Sequence, residues 1–302
     1  MQLPPPSWDP YATPGAQPPA LFPQDYYFPG SAYQTTETLR RFLEEIRAEY
    51  TWIPASGGQR KFGVDDVELS ATFTIPFLYS TQHPLLITPG FASHFWSGPI
   101  SEGPQPADMP PNAFSAYLDA AWNPQVTPWL GAELGFRTGV YSDYRKVTTD
   151  SLRFMGHGLA VLSLTPSVQV KAGAVYLDRN RVKILPAGGL VWMPNPDVRF
   201  DILFPNPMAS RRLMDLGDTQ LWAYVRGEYG GGNWAVQRVD GTFERVDYND
   251  LRVMAGIDFD RAAGLSGLFE VGVAFDREIV YRSPTPTFRP EPAVVLRAGL
   301  VY

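Results

Sequence analysis

The chain has 302 residues, of which 19% are charged and 14% aromatic, with 27 glycines, 30 prolines and no cysteine. The net charge of -6 provides no basic surface for nucleic acid, so a nucleic acid is not expected as a partner. The lack of cysteine excludes a disulfide framework and thiolate metal sites. Abundant glycine, proline and aromatic residues favour many short strands over helices.

The first 34 residues are rich in proline and are predicted to form a separate segment. Proline fixes φ and lacks an N–H donor, so such a segment stays extended and outside a folded core. We therefore predict a flexible, disordered leader over 1–34 and a folded domain over 35–302. The opening letters MQLPPPSWDP have neither a basic start nor an apolar stretch, so no signal peptide is visible.

A short helical turn is predicted where the leader ends, because TTETLRRFLEEIR spaces Leu39, Phe42, Leu43 and Ile46 as a helix does. After this turn, apolar residues recur at every second position almost everywhere. About fourteen strands follow, although twelve also fit the pattern. Their predicted spans are 45–54, 64–76, 84–96, 112–122, 125–141, 150–165, 168–177, 181–193, 197–204, 219–229, 233–240, 248–259, 266–281 and 292–302.

The links between these strands alternate in length. Short turns are predicted at 123–125, 166–167, 194–196 and at the three glycines Gly230, Gly231 and Gly232. Longer loops are predicted at 55–63, 97–111, 142–149, 205–218, 241–247 and 282–291. Short turns on one rim and long loops on the other are typical of a closed, antiparallel, up-and-down transmembrane β-barrel.

A soluble secreted β-sandwich, such as a binding or adhesin module, would also alternate apolar and polar residues. The predicted strands are longer than the five or six residues common in sandwiches, which favours the barrel. Seven tryptophans also lie near predicted strand ends, where membrane barrels carry aromatic girdles. These predicted interface aromatics are Trp52, Trp96, Trp122, Trp129, Trp192, Trp222 and Trp234.

The polar face of the predicted strands carries acids and bases in nearly equal number. This balance predicts either a self-neutralising wall or a narrow, weakly selective channel for small solutes. The predicted lumen-facing charges are Arg47, Glu49, Glu68, Glu133, Arg137, Lys171, Arg226, Glu228, Arg252, Asp258, Glu270, Asp276 and Arg297.

No catalytic, cofactor or metal site is predicted, and the protein is not expected to be an enzyme. The histidines His83, His94 and His157 do not form an H-x-x-x-H pattern. An outer-membrane lipid hydrolase would need serine and histidine on one face. Ser93 adjoins His94, but successive strand residues face opposite ways, so this alternative is disfavoured.

Two segments, PLLITPGFASHFWSGP (84–99) and PAGGLVWMPNPDVRFDILFPNP (186–207), resemble recurrent segments of a family of bacterial outer-membrane β-barrels known only as a domain of unknown function. The resemblance covers about residues 45–302. It implies the barrel fold and an outer-membrane location in a Gram-negative envelope, and it implies no substrate.

The final letters, VVLRAGLVY, are similar to the C-terminal signature that the barrel-assembly machinery recognises, with a terminal aromatic and apolar residues at every second position. That resemblance implies outer-membrane lipids and the assembly machinery as partners and leaves the oligomeric state open. We therefore predict a porin-like or structural outer-membrane barrel. The signature residues are Val294, Leu296, Ala298, Leu300 and Tyr302.

Overall fold

The computed structural model describes residues 42–55, 58, 60–78, 80–100, 106–261 and 264–302, so the predicted leader lies outside the described residues. None of the helical segments in these ranges is long and apolar enough to cross a membrane. The strands are β1 (Leu43–Ile53), β2 (Gly63–Phe77), β3 (Ser80–Ser97), β4 (Asn112–Trp122), β5 (Gln125–Thr127), β6 (Leu130–Ser142), β7 (Leu152–Thr165), β8 (Val168–Tyr176), β9 (Ile184–Asn195), β10 (Val198–Phe204), β11 (Met208–Asp215), β12 (Thr219–Gln237), β13 (Phe243–Arg261), β14 (Ser266–Tyr281) and β15 (Ala293–Val301).

These strands form one closed antiparallel barrel. Each wall strand pairs with its neighbours in the chain, β4 pairs directly with β6, and β1 pairs with β15 to complete the ring. The three-residue β5 pairs only with the start of β6, so fourteen strands make the wall. The predicted barrel is confirmed. The sandwich alternative is wrong, because all the strands of the described residues belong to a single closed sheet.

The links differ between the two rims, as the sequence predicts. One rim, here called the short-link rim, has connections at 78–79, 123–129, 166–167, 196–197, 216–218 and 262–265. The opposite, long-loop rim has 54–62, 98–111, 143–151, 177–183, 205–207, 238–242 and 282–292. Because the strand number is even, residue 302 returns to the short-link rim, where β1 begins.

Three local predictions are wrong. Residues 43–46, the part of the predicted helical turn within the described strands, extend as the start of β1 because they pair with β2, and residues 35–41 of that prediction lie outside the described residues. The predicted loop 205–218 contains β11. The predicted glycine turn at 230–232 lies inside the continuous β12, which pairs with β13 over its whole length. The prediction omits β11 and divides β12 into two strands, so its total of fourteen strands is still correct.

The two faces of the wall are the reverse of those in a soluble protein. On β14, Phe269, Val271 and Val273 are exposed, while Glu270 between them is buried. On β13, Val253 is exposed and its neighbour Arg252 is buried. Apolar side chains therefore cover the outside of the barrel, and charged side chains point inward.

The C-terminal residue takes part in the closing pair of strands. Tyr302 donates its N–H to the Ile46 carbonyl at 2.9 Å and accepts the Ile46 N–H at 2.8 Å. Its side chain is exposed on the outer face, as are those of Val294, Ala298 and Leu300, whereas Arg297 is buried. Leu296, the remaining residue of the signature, is half-buried.

We expect deletion of Tyr302 to slow assembly more than it weakens the folded barrel. It removes two backbone hydrogen bonds of ~0.5–1.5 kcal/mol each at the end of the closing pair, but leaves the other β1–β15 pairs intact. Folding yield into vesicles with and without assembly machinery is the measurement, and Tyr302→Phe is the control. Wild-type insertion by the deletion variant would contradict the expectation.

Candidate functional site at the barrel interior and mouth

The buried face of the wall collects most of the charges singled out in the sequence. Eleven of the thirteen predicted lumen-facing residues are fully or nearly buried, and the twelfth, Glu68, is half-buried. Asp276 differs. A bulge opposite Asn249 and Leu251 gives Asp276 a φ of 46° and leaves its side chain exposed, so Arg277 occupies the inward position instead.

The densest group of charges lies on β12, β13, β14 and β15. Arg297 Nη1 lies 2.9 Å from Glu228 Oε2 and 3.0 Å from Glu270 Oε2. Arg252 Nη1 lies 3.1 Å from Glu228 Oε1, and Arg226 Nη2 donates to Glu270 Oε2 at 2.8 Å. Two carboxylates therefore share three guanidinium groups. We refer to these five residues as the central network.

Smaller pairs neutralise other buried charges of the wall. Arg137 makes a two-pronged contact with Asp119, with Nη2 2.6 Å from Oδ2. Lys171 Nζ lies 2.6 Å from Glu133 Oε1. The Arg137 guanidinium also lies 3.9 Å from the Tyr117 ring centroid. Burial of a charge is costly unless it is paired, and these contacts supply the partners.

Beyond the charges, the upper part of the β12–β13 hairpin extends past its pairing with β11 and crosses the mouth of the barrel, while its β13 side stays paired with β14 over 246–249. We call residues 230–250 the arm. Strand β11 ends its pairing with β12 at Arg226. Past that point the arm reaches β6, on the far side of five intervening strands, where Ala235 forms a parallel bridge with Ser142. Residues 230–236 are all buried, unlike the alternating residues below them.

The bend into the arm occurs at the glycines that resembled a turn in the sequence. Gly231 has a φ of +80°, a conformation that side chains other than glycine rarely adopt. A Cβ at Gly231 would lie 2.0 Å from the Tyr248 carbonyl oxygen, so the two strands of the arm approach closely there. The glycine cluster is thus a bend that redirects a long strand over the mouth.

Polar contacts hold the arm against the opposite wall. The Asp143 carboxylate accepts the Gln237 N–H at 2.8 Å, and the Asp143 N–H donates to the Ala235 carbonyl at 3.3 Å. From β7, Arg153 Nε donates to the Asn233 carbonyl at 3.3 Å. These bonds tie the tip of the arm to β6 and β7.

Two of the long loops also hold the arm. From 177–183, the fully buried Arg179 donates to the carbonyls of Gly230, at 3.1 Å, and Gly231, at 2.6 Å. From 98–111, Asp108 accepts from Arg238 Nε at 2.8 Å and from the Val239 N–H at 2.7 Å. Sequence reasoning missed Arg179 and Asp108 because both lie in predicted loops, and only the fold brings them to the arm.

Aromatic side chains fill the space beneath the arm. The rings of Trp96 and Trp234 meet edge to face at 5.1 Å, and Phe62 packs against Tyr248 at 5.0 Å. All four are nearly inaccessible to solvent. In the described part of the chain, the mouth at the long-loop rim is therefore closed by apolar packing.

Three of the predicted interface aromatics are accordingly wrong. Trp96 lies under the arm, Trp234 belongs to the arm and packs against Trp96, and Trp222 shares the inward face of β12 with Glu228. Proximity to a strand end does not determine which face a residue occupies; parity along the strand does. Of the other four, Trp122 is partly buried and the exposed ones are Trp52, Trp129 and Trp192.

In the described ranges, no group of three or more His, Asp or Glu residues is arranged to hold a metal ion. No family model and no curated protein matches the chain.

Solved structures do resemble the chain. The KdgM porin in complex with disordered oligogalacturonate is 8% identical, with a TM-score of 0.37, over 86% of this chain and 98% of that one. LpxR from Salmonella typhimurium is 12% identical, with a TM-score of 0.41, over 86% and 99%. OccK5 from Pseudomonas aeruginosa is 11% identical, with a TM-score of 0.25, over 86% and 97%. None of these likenesses is close enough to indicate what this chain binds or does.

Proposed function

We propose that the protein is an outer-membrane β-barrel that acts as a porin-like channel for small solutes and is closed at rest by the arm. The observation that carries this proposal is the reversed pattern of the wall, with apolar side chains exposed and charged side chains buried. Lipid demands this pattern, and closure of the sheet satisfies every backbone group that would otherwise face hydrocarbon.

The orientation of the barrel in the membrane follows from the lengths of the links at its two rims. Membrane barrels of this kind place short turns in the periplasm and long loops outside the cell. Both ends of the described chain then lie at the periplasmic rim, and the arm closes the extracellular mouth. Insertion would rely on the barrel-assembly machinery, with outer-membrane lipids around the apolar belt.

The paired charges of the interior support weak ion selectivity. The central network and the Arg137–Asp119 and Lys171–Glu133 pairs place positive and negative groups side by side. A pore that selects strongly for one sign needs an excess of the other along its path. We therefore assign the channel to small solutes of either sign or of none.

The test uses the full chain refolded in detergent. A membrane barrel should migrate faster on a detergent gel before boiling than after it, and should precipitate when detergent is removed. Reconstituted in planar bilayers at high salt, it should give discrete conductance steps separated by long closed periods. Solubility without detergent and no gel shift would overturn the membrane assignment.

A bilayer that stays silent at all voltages, even after the arm has been released by mutation, would overturn the channel. It would leave a structural envelope barrel, which the dense pairing of buried charges also fits.

A further inference from the structure

We propose that Asp66, His94 and Ser115 form a serine nucleophile triad beneath the arm, suited to hydrolysis of carboxylic esters with an apolar acyl group. This inference goes beyond the proposed channel and does not depend on it. Residues adjacent in the chain do not reveal the triad, because the serine next to His94, Ser93, lies on the opposite face of the sheet. The relevant serine lies two strands from the acid.

The triad is assembled across three adjacent strands. Asp66 on β2 is the direct register partner of His94 on β3, and Ser115 on β4 lies diagonal to His94, opposite Ala92. His94 Nδ1 lies 2.7 Å from Asp66 Oδ1, and His94 Nε2 lies 2.9 Å from Ser115 Oγ. These are hydrogen-bond distances, in the order acid, histidine, serine that activates a hydroxyl nucleophile.

The tautomer of His94 follows from its partners. A carboxylate oxygen only accepts, so Nδ1 carries the ring proton and donates it to Asp66 Oδ1. In the neutral ring Nε2 is then the acceptor, and the Ser115 hydroxyl donates to it. Trp234 Nε1 lies 3.1 Å from Ser115 Oγ, and an indole N–H only donates, so Oγ accepts from Trp234 while it donates to His94. This is the tautomer that a general base needs in order to take the serine proton.

The surroundings determine the substrate class. Trp234 packs edge to face on the His94 ring at 4.8 Å, and Trp96 stacks against the same ring at 6.3 Å. Phe62 lies beyond Trp96, at 6.4 Å between ring centroids. Once the arm lifts and takes Trp234 with it, Ser115 faces an aromatic space that fits an apolar acyl chain. The closed arm keeps the nucleophile covered, with Ser115 and His94 each about 1% exposed.

The reaction needs no reagent other than the ester and water. Ser115 Oγ attacks the ester carbonyl carbon while its proton passes to His94 Nε2. The carbon–oxygen bond to the alcohol then breaks, and the alcohol leaves with that proton. Water, deprotonated by His94, attacks the acyl-serine, and the carboxylic acid departs as Ser115 Oγ regains its proton. Asp66 acts as a positioning residue, because it holds the ring and its tautomer without touching the substrate.

The test labels refolded protein with a fluorophosphonate, which reacts with activated serines. We expect wild type to label slowly and Trp234→Ala to label at least about tenfold faster, because loss of the indole uncovers a serine whose general base itself contributes about 10²–10⁴-fold. In the Trp234→Ala background, both Ser115→Ala and His94→Gln should abolish labelling. Ser93→Ala, the neighbouring serine of opposite parity, should leave it unchanged.

Asp66 is tested by rescue. Asp66→Asn should lower the labelling rate at least about tenfold, since the amide favours the wrong tautomer, whereas Asp66→Glu should recover part of it. Every variant must keep the gel shift on boiling, which separates loss of chemistry from loss of fold.

Hydrolysis of p-nitrophenyl butyrate should follow the same order among the variants. A folded Trp234→Ala protein that does not label, or labelling that survives Ser115→Ala, would overturn the triad. Conduction through the lumen does not require nucleophilic chemistry at Ser115, so either result leaves the channel proposal standing.

Discussion

Replacing both Asp143 and Trp234 by alanine is expected to raise the open probability of the channel at least tenfold in planar bilayers. Asp143 accepts the Gln237 N–H, and the Trp234 indole donates to Ser115 on the opposite wall. Loss of these bonds weakens the closed arm by about 2–4 kcal/mol, because one of them involves a charged group. Each ~1.4 kcal/mol shifts such an equilibrium about tenfold.

A reversible crosslink provides the decisive control. The chain has no cysteine, so Ser142→Cys with Ala235→Cys introduces the only thiols, at two register partners that join β6 to the arm. In the opened background, oxidation should close the channel and reduction should reopen it.

The matched pair Val236→Cys with Glu244→Cys lies within the arm and crosslinks its own two strands. It should have no such effect on conductance. Equal conductance of the oxidised and reduced Ser142–Ala235 pair would show that the arm is not the gate.

Replacing Arg297 by methionine should destabilise the barrel by about 3–5 kcal/mol, the usual cost of leaving a buried charge without its partner. Arg297 contacts both Glu228 and Glu270, and all three side chains are at most 2% exposed. The loss should appear as a lower temperature at which the gel shift disappears and a lower urea midpoint for unfolding from micelles.

Two further variants separate charge imbalance from lost packing. Adding Glu228→Gln to Arg297→Met should restore part of the stability, since it removes one of the stranded charges. Arg282→Ala breaks the exposed pair with Asp150, where both side chains are more than half exposed, and should cost under about 1 kcal/mol. Equal losses for Arg297→Met and Arg282→Ala would contradict the importance of the central network.

The sequence predicts the wall well, because strand alternation is a local property that each segment carries by itself. Strand β4 was predicted at its observed bounds of 112–122. Alternation does not identify every strand, however. The sequence does not predict β11, because MASRRLMD alternates poorly. It predicts a turn at the glycines 230–232, because a sequence does not distinguish a bend within a strand from a reversal between strands.

The site was less predictable, since it depends on contacts between distant segments. The positions of Arg297 and Glu228 along their strands predict that both side chains face inward. The sequence does not show that the two side chains contact each other. The bulge at Asp276 moved one predicted charge outward, and bulges leave no clear sequence signal. Ser115 and Trp234, 119 residues apart, come together only because the arm folds across the mouth.

The barrel wall is lowest at β10 and β11, which have seven and eight residues, whereas β12 and β13 have nineteen each. At ~3.4 Å per residue the two short strands extend about 24–27 Å, and a tilt near 40° reduces the height they span to about 20 Å. Ile202 and Phe204 on β10 and Leu213 on β11 are exposed along this low side. In the proposed membrane setting, the bilayer must thin around these strands. Hydrophobic mismatch would then be concentrated on one flank, and a second membrane protein that shortens the local bilayer would be favoured to lie against it.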